Sequence, residues 1–394
     1  MVVGILTVHS QINYGAILQT YALQNILEKK GYKVVVLDRI MDKKTGPLLG
    51  AISNGGFLCW MRILVRGSIG LWDFAEIKRR IKSHLFIKKH LNISSFKFNN
   101  WVDAPVDIGV DLLVLGSDQI WNTKHHDPHV FLLDGAPRLP AITYAASFGT
   151  KDIDVKYEEL FKERIHSFDD ISVREEYAKD ILKRFNVNAI RVMDPTIAVS
   201  TDIWDQFVKK RKGKSSLVCY LIAKPSYDQI LLLQEFAIKN SCVVKIFVGS
   251  LYQAMPKRID EWKEYLNYLS ISFSKYIKFA VSHSPKDFVD AFANADYVIT
   301  STFHGLMFAS IFRKQVRVLK EPFEDNLAGF RRLHEFINYY MNGDVVQYSF
   351  KDALDSIFSG EKICYKEDEI QLNREKSINW LGEAVKKAVD RVVR

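Results

Sequence analysis

The sequence predicts an α/β protein made of two Rossmann-like, doubly wound domains that face each other across a cleft. Three observations lead there. The chain opens strand, loop, helix, strand; its strands are continuously apolar instead of alternating; and the same pattern restarts after a break near residue 200. At 394 residues the chain is long enough for two domains, expected at 1–200 and 201–394.

In the first half, Val2 to Val8 is a continuous apolar run and His9 to Gly15 holds turn formers. Ala16 to Lys30 has helical periodicity, and Tyr32 to Leu37 is apolar again. Gly31 stands where the helix should stop. Further strands are expected at Leu112 to Leu115, Ala141 to Ala145 and Ile190 to Met193, with helices around Tyr157 to His166 and Glu175 to Phe185. A break follows Asp194-Pro195. The second half reads strand Leu217 to Ile222, helix Tyr227 to Asn240, strand Val243 to Val248, helix Ser284 to Asn294, strand Tyr297 to Thr300 and helix Gly305 to Phe312, followed by C-terminal helices.

An insertion near residues 55–91 interrupts the first domain. Gly55 to Trp72 is apolar, but Arg62, Arg66 and two internal glycines make it a poor bilayer-crossing helix. Phe74 to Leu91 carries Lys78, Arg79, Arg80, Lys82, Lys88 and Lys89 against the lone acid Glu76, with Ile77, Ile81, Phe86 and Leu91 at about helical spacing. This basic amphipathic helix is either a solvated surface helix or a segment that docks on an anionic membrane surface.

The chain carries 55 Lys+Arg against 46 Asp+Glu, a formal net charge of +9. That excess suits nucleic acid, an anionic membrane or acidic small molecules. Nucleic acid is set aside, because no zinc-finger spacing, RNA-binding signature or basic tail accompanies the helix. Cys59, Cys219, Cys242 and Cys364 lie far apart with no C-x-x-C spacing, which fits a reducing compartment better than a zinc site or a disulfide framework. The opening MVVGILTVHSQINYG has no basic leader or small-residue cleavage site, so a cytoplasmic protein is expected.

Doubly wound sheets bind ligands at the carboxyl ends of their strands, and four loops there concentrate small or polar residues. Asn13-Tyr14-Gly15 leads into the first helix, whose free amides can hold a phosphate or carboxylate; a plain tight turn needing glycine is the alternative. In the second loop, Gly116 permits close backbone approach, Ser117, Asp118 and Gln119 offer hydrogen bonds to hydroxyls, and Trp121 either stacks on a sugar ring or packs in the core. Arg174 in the third loop is placed to grip phosphate or carboxylate, or to pair with a neighbouring acid. The fourth, Ser301-Thr302-Phe303-His304-Gly305, sets a histidine at the mouth of a helix, where acid/base work is plausible. His125, His126 and His129 invite a metal reading, but Pro128 argues for a loop, and an acceptor-facing surface is the better expectation; no metal is assigned.

In this order the loops resemble the polysaccharide pyruvyl transferase family. GILTVHSQINYGAILQTYALQNILEKKGYKVVVLD is similar to the family's opening and LGSDQIWN to its central motif. YAASFG, ISVREEYAKDIL with VMDPTI, and ADYVITSTFHGLMFASIF resemble its remaining signatures. The resemblance implies a fold similar to the two-domain GT-B glycosyltransferases. It also implies transfer of a pyruvyl group from phosphoenolpyruvate onto two hydroxyls of a sugar, with no metal or other cofactor. Arg174 then becomes a clamp on the anionic donor and His304 the acid/base or phosphate-contacting residue.

One departure matters: members with the best-known donor contacts read Arg-Leu-His-Gly where this chain has Thr302-Phe303-His304-Gly305. An arginine is therefore absent at position 302, and Arg331 and Arg332 are the candidate substitutes. The expected acceptor is a sugar of a polysaccharide or its lipid-linked oligosaccharide precursor, with the enzyme in the cytoplasm or peripheral at the inner face of its membrane. The alternatives are a glycosyltransferase using a nucleotide sugar in the same cleft and a non-catalytic sugar-binding assembly protein.

Overall fold

The computed structural model describes residues 1–9, 13–40, 71–209, 215–223, 225–248, 274–320, 327–359 and 361–393. Gly55 to Trp72, except for its last two residues, and Cys59 lie outside this set.

In the first half, β1 (Val2–Leu6), α1 (Tyr14–Lys29) and β2 (Lys33–Arg39) form the expected βαβ unit. They are followed by α2 (Leu71–His90), β3 (Ile93–Phe98) and β4 (Leu112–Gly116). Then come α3 (Pro128–Phe131), β5 (Ala141–Ala146), α4 (Glu158–Arg164), β6 (Asp170–Val173), α5 (Glu176–Lys183) and β7 (Ile190–Arg191). All seven strands run parallel in the order β3-β2-β1-β4-β5-β6-β7. Every residue of β4 and β5 is buried, as expected of strands covered on both faces.

Two short helices, α6 (Pro195–Ala198) and α7 (Asp202–Asp205), lead to the second half. There β8 (Ser216–Leu221), α8 (Tyr227–Lys239), β9 (Val243–Val248), β10 (Ile277–Phe279), α9 (Pro285–Ala293) and β11 (Tyr297–Thr300) precede α10 (Phe303–Ile311) and β12 (Gln315–Leu319). The chain ends with α11 (Leu327–Tyr340), β13 (Met341–Asn342), β14 (Val346–Gln347), α12 (Phe350–Ser359), β15 (Cys364–Tyr365) and α13 (Glu367–Val393). A second parallel sheet has the order β10-β9-β8-β11-β12-β14, while β13 and β15 pair antiparallel outside it.

In each large sheet the strand order reverses at one point, between β1 and β4 in the first and between β8 and β11 in the second. Crevices open where neighbouring connections diverge to opposite faces, so the loops after these strands are where a ligand fits. The second and fourth loops of the sequence leave β4 and β11, at the two switch points.

The halves are tightly joined. Tyr14 stacks on Phe288 at 4.9 Å, and its hydroxyl donates to the His283 carbonyl. The long α13 belongs to the second half of the chain yet returns to the first sheet. Ser377 accepts from the Met193 amide, and Lys387 and Arg391 pair with Asp170 and Asp169. One hydrophobic cluster runs unbroken from Val3 and Ile17 through Trp204 to Leu306 and Val385.

Candidate functional site

At the end of β4 the backbone of Gly116 has φ +113°, and a Cβ there would collide with the Tyr144 carbonyl, so glycine is required. The next residue, Ser117, is fully buried: its carbonyl accepts from the Thr7 hydroxyl, tying the two switch-point strands, and its Oγ donates to Asp194 Oδ2 at 3.1 Å. Asp118, also at positive φ, accepts the Gln119 amide on its carboxylate.

Asp194 caps α6, with Oδ1 accepting the Thr196 amide at 3.0 Å and its hydroxyl at 2.6 Å. Its Oδ2 takes Arg174 Nη1 at 3.0 Å, while Arg174 Nε donates to Glu175 Oε1 at 2.8 Å. Glu175 also accepts from the Ser147 hydroxyl. Burial alone would raise the Asp194 carboxyl, but His304, Arg174 and the Thr196 hydrogen bonds outweigh it and hold it below the usual carboxylate value. Burial likewise opposes the Arg174 charge, and Glu175, Asp194 and Asp118 overcome it.

The second half supplies His304, in the first turn of α10 behind its Thr302 cap, whose hydroxyl accepts the Gly305 amide at 3.0 Å. His304 Nε2 lies 3.8 Å from Asp194 Oδ2, across the boundary between the halves, and has no hydrogen-bond partner. The imidazole fills the space over Gly15, where a Cβ would overlap the ring. The N-terminal ends of α1 and α10 therefore meet here, and both favour negative charge. Burial lowers the His304 pKa, Asp194 and Asp118 pull it back, and Arg174 and Arg332 push it down; the net shift is downward. At neutral pH the ring is an uncharged base.

Arg332 reaches the same place from α11. Its guanidinium lies 5.7 Å from the centre of the Phe303 ring and that of Arg174 only 4.1 Å, so two cations sit against one aromatic side chain. With its carboxamide oxygen assigned toward Arg332, Gln119 accepts from Nη2 at 3.2 Å. Arg174 Nη2, Arg332 Nε and Glu175 Oε2 are buried without hydrogen-bond partners. These residues, with Asp194, Phe303 and Tyr339, line a narrow cavity. Buried donors left open beside a neutral imidazole can take an anion carrying several acceptor oxygens.

The model of the polysaccharide pyruvyl transferase family matches residues 13–321, which include all four loops. The chain belongs to this family. No curated protein sequence matches it. Among solved structures it is similar to the UDP-N-acetylglucosamine 2-epimerase of Rickettsia bellii, with a TM-score of 0.53 and 11% identity over 99% of this chain and 97% of that one. The UDP-GlcNAc 2-epimerase of Methanocaldococcus jannaschii gives 0.50 and 12% over 97% and 100%. The wall teichoic acid polymerase TagF gives 0.50 and 9% over 100% and 90%. At such identities the likeness concerns the fold, the GT-B arrangement of two Rossmann-like domains, and family membership makes the chain a transferase of polysaccharide biosynthesis.

Of the residues singled out in the family motifs, Gly15, Ser117, Asp118, Gln119, Arg174 and His304 come together, and Arg332, the candidate substitute for the missing arginine, joins them. Others support the frame. Asn13 caps α1 by accepting the Gly15 and Ala16 amides, Ser301 Oγ accepts the Ile222 amide, and a Cβ on Gly305 would strike Thr300 and Thr302. Trp121 is a core residue and not a stacking platform: it is 1% exposed and packs on Phe148, Phe161 and Phe168. Arg331 points away, paired with Glu335 at 3.4 Å over the Tyr177 ring. His129 pairs with Asp134, and among the described residues no three potential ligands cluster as a metal site.

Asp194 and Glu175, which sequence reasoning did not assign to the site, form its acidic frame. The available signal for Asp194 was Asp-Pro-Thr, a helix cap inside the VMDPTI motif.

Proposed function

We propose that this transferase moves the pyruvyl group of phosphoenolpyruvate onto two hydroxyls of a sugar, in a polysaccharide or its lipid-linked precursor, at the cytoplasmic face of the membrane. The reading is carried by one juxtaposition: an uncharged His304 beside two guanidiniums, Arg174 and Arg332, that retain unpaired donors. Phosphoenolpyruvate is a small dianionic-phosphate carboxylate, and two cations at the meeting point of two helix N-termini suit its two anionic ends. Thr302 occupies the position where better-known members carry arginine, and Arg332 from α11 supplies the second cation instead.

His304 accepts the proton of the first sugar hydroxyl as its oxygen bonds to the carbon of the donor that carries the phosphate oxygen. The proton that His304 has taken passes on to the neighbouring methylene carbon, which becomes a methyl group and leaves the imidazole uncharged again. The imidazolium formed meanwhile is stabilised by Asp194. The second hydroxyl then attacks the same carbon, the C–O bond to phosphate breaks, and its proton leaves with the phosphate, giving the cyclic ketal. The cations stabilise the negative charge that gathers on the departing phosphate.

The test is incubation of the purified protein with phosphoenolpyruvate and candidate lipid-linked oligosaccharides, following phosphate release and mass gain on the acceptor. His304→Ala should lower turnover at least about 100-fold. Transfer from nucleotide sugars without any from phosphoenolpyruvate would replace this reading with the glycosyltransferase one.

A further inference from the structure

The helix α2 has two unlike long faces. On the inner one, Arg79, Ser83 and Phe86 are buried. Phe86 packs on Tyr21 and Phe207, the Arg79 guanidinium lies 5.9 Å from the centre of the Tyr14 ring, and on that flank Lys82 reaches Asp287 at 3.5 Å. The basic helix expected from sequence is thus partly committed to the fold: Arg79 and Lys82 serve the junction between the halves. On the outer face Ile81 and Leu85 are 51% and 57% exposed. At 100° per residue they occupy the middle of that face, with Lys88 on one side and Lys78 and Lys89 on the other, all three exposed. No acidic residue occurs from Ile77 to His90.

A solvated helix face normally carries charge at its centre and apolar residues toward its edges. This face does the reverse. The exposed side of α13 illustrates the ordinary case, mixing Glu375, Lys376, Glu383, Lys386 and Asp390.

We propose that the outer face of α2 docks the protein on an anionic phospholipid bilayer. Ile81 and Leu85 enter the boundary between headgroups and acyl chains, while the three lysines lay their methylene stems alongside and hold their ammonium groups among the lipid phosphates. The acid-free stretch complements an anionic surface and would be repelled by a cationic one. Among the described residues no helix is long and apolar enough to cross a membrane, so the contact is made from one side. The docking face lies about one helix diameter, roughly 10 Å, from Arg79 and Tyr14, and Tyr14 begins the helix whose N-terminus meets His304. A docked molecule therefore presents the cleft close to the bilayer. This surface does not depend on the identity of the donor, and its test measures no activity.

The full-length chain is floated with phosphatidylcholine vesicles with and without phosphatidylglycerol, at low and high salt. Binding should require phosphatidylglycerol and weaken as salt rises. The variant Lys78→Gln/Lys88→Gln/Lys89→Gln should lose about fivefold in partitioning per lysine, and Ile81→Ser/Leu85→Ser should also lose binding. All five side chains are solvent-facing, so the variants should melt thermally like the parent, which is checked before flotation. The control Lys362→Gln/Lys376→Gln/Lys386→Gln removes as much charge from other exposed positions and should float like the parent. Flotation independent of phosphatidylglycerol, an α2 variant that floats like the parent, or equal loss in the control would each overturn the proposal.

Discussion

The molecule has two cationic regions whose surroundings are opposite. Arg174 is buried between two carboxylates, and its guanidinium and that of Arg332 both lie against the Phe303 ring. Lys78, Lys88 and Lys89 of α2 stand in water, on a stretch with no acid from residue 77 to 90. A buried, paired guanidinium is a fixed part of the framework, and removing it strands its partners. An exposed lysine contributes little to folding and acts at a distance that salt shortens. The same net charge thus serves chemistry in one place and location in the other, and each region should respond to a different perturbation.

The largest effect is expected at Arg174. Replacing it with alanine leaves Asp194 and Glu175 as buried carboxylates without their guanidinium partner, which costs about 3–5 kcal/mol of stability. Turnover should fall at least about 100-fold as well. Denaturant melts and phosphate release read the two losses separately. His304→Ala should divide them: the Nε2 atom has no hydrogen bond to lose, so activity falls with a smaller loss of stability. Equal destabilisation by both substitutions would break the contrast between a framework cation and a reacting base.

Next in size is Gly15→Ala, whose methyl group would meet the His304 ring. The two halves must separate slightly to admit it, at a cost of about 1–3 kcal/mol. Turnover should fall with the stability, although residue 15 carries no chemistry. Unchanged melting would mean that the contact is looser than the structure indicates.

A smaller and more specific effect concerns pH. The folded value of His304 lies below its ordinary value of 6.5, so the acid limb of kcat/KM should fall below pH 6.5. Asp194 raises the His304 pKa, so Asp194→Asn should move that limb to still lower pH while reducing turnover. Linkage gives two further signs. The folded Asp194 carboxyl lies below its unfolded value of 3.8; its stabilisation is complete above the carboxylate range and lost as pH falls through the depressed value. The depressed His304 likewise contributes stability that is full above about pH 6.5 and declines below it. An acid limb that moves upward in Asp194→Asn would show that the carboxylate does not act on the imidazole.

Much of this arrangement was legible in the sequence, because continuous apolar runs mark fully covered parallel strands and helical spacing marks α1, α2, α8 and α9. β3 escaped notice since Ile93–Phe98 is an edge strand with half its residues polar, whereas β7, expected over Ile190 to Met193, is present but shorter, because only Ile190 and Arg191 pair. Helix α10 begins two residues earlier than expected, at Phe303, so His304 belongs to its first turn. In the site, glycines and a loop histidine stood out by type. Asp194 did not, because Asp-Pro reads locally as the end of a domain; only folding brings it to Ser117, Arg174 and His304. Trp121 shows the opposite failure: a loop position rich in polar neighbours still sends its ring into the core.

The smallest effect on chemistry should come from the lysines. With a water-soluble acceptor, the Lys78/Lys88/Lys89 glutamine variant should keep the parent's kcat and KM, since none of these side chains belongs to the cleft. With a lipid-linked acceptor in anionic vesicles, its apparent KM should rise while kcat holds, because docking changes the local concentration of enzyme at the acceptor and not the reacting groups. Raising salt should reproduce that defect in the parent and add little in the variant. A fall in kcat with the soluble acceptor would mean that the outer face of α2 communicates with the cleft through its inner one, where Arg79 meets Tyr14 and Lys82 meets Asp287. The two cationic regions would then act as one.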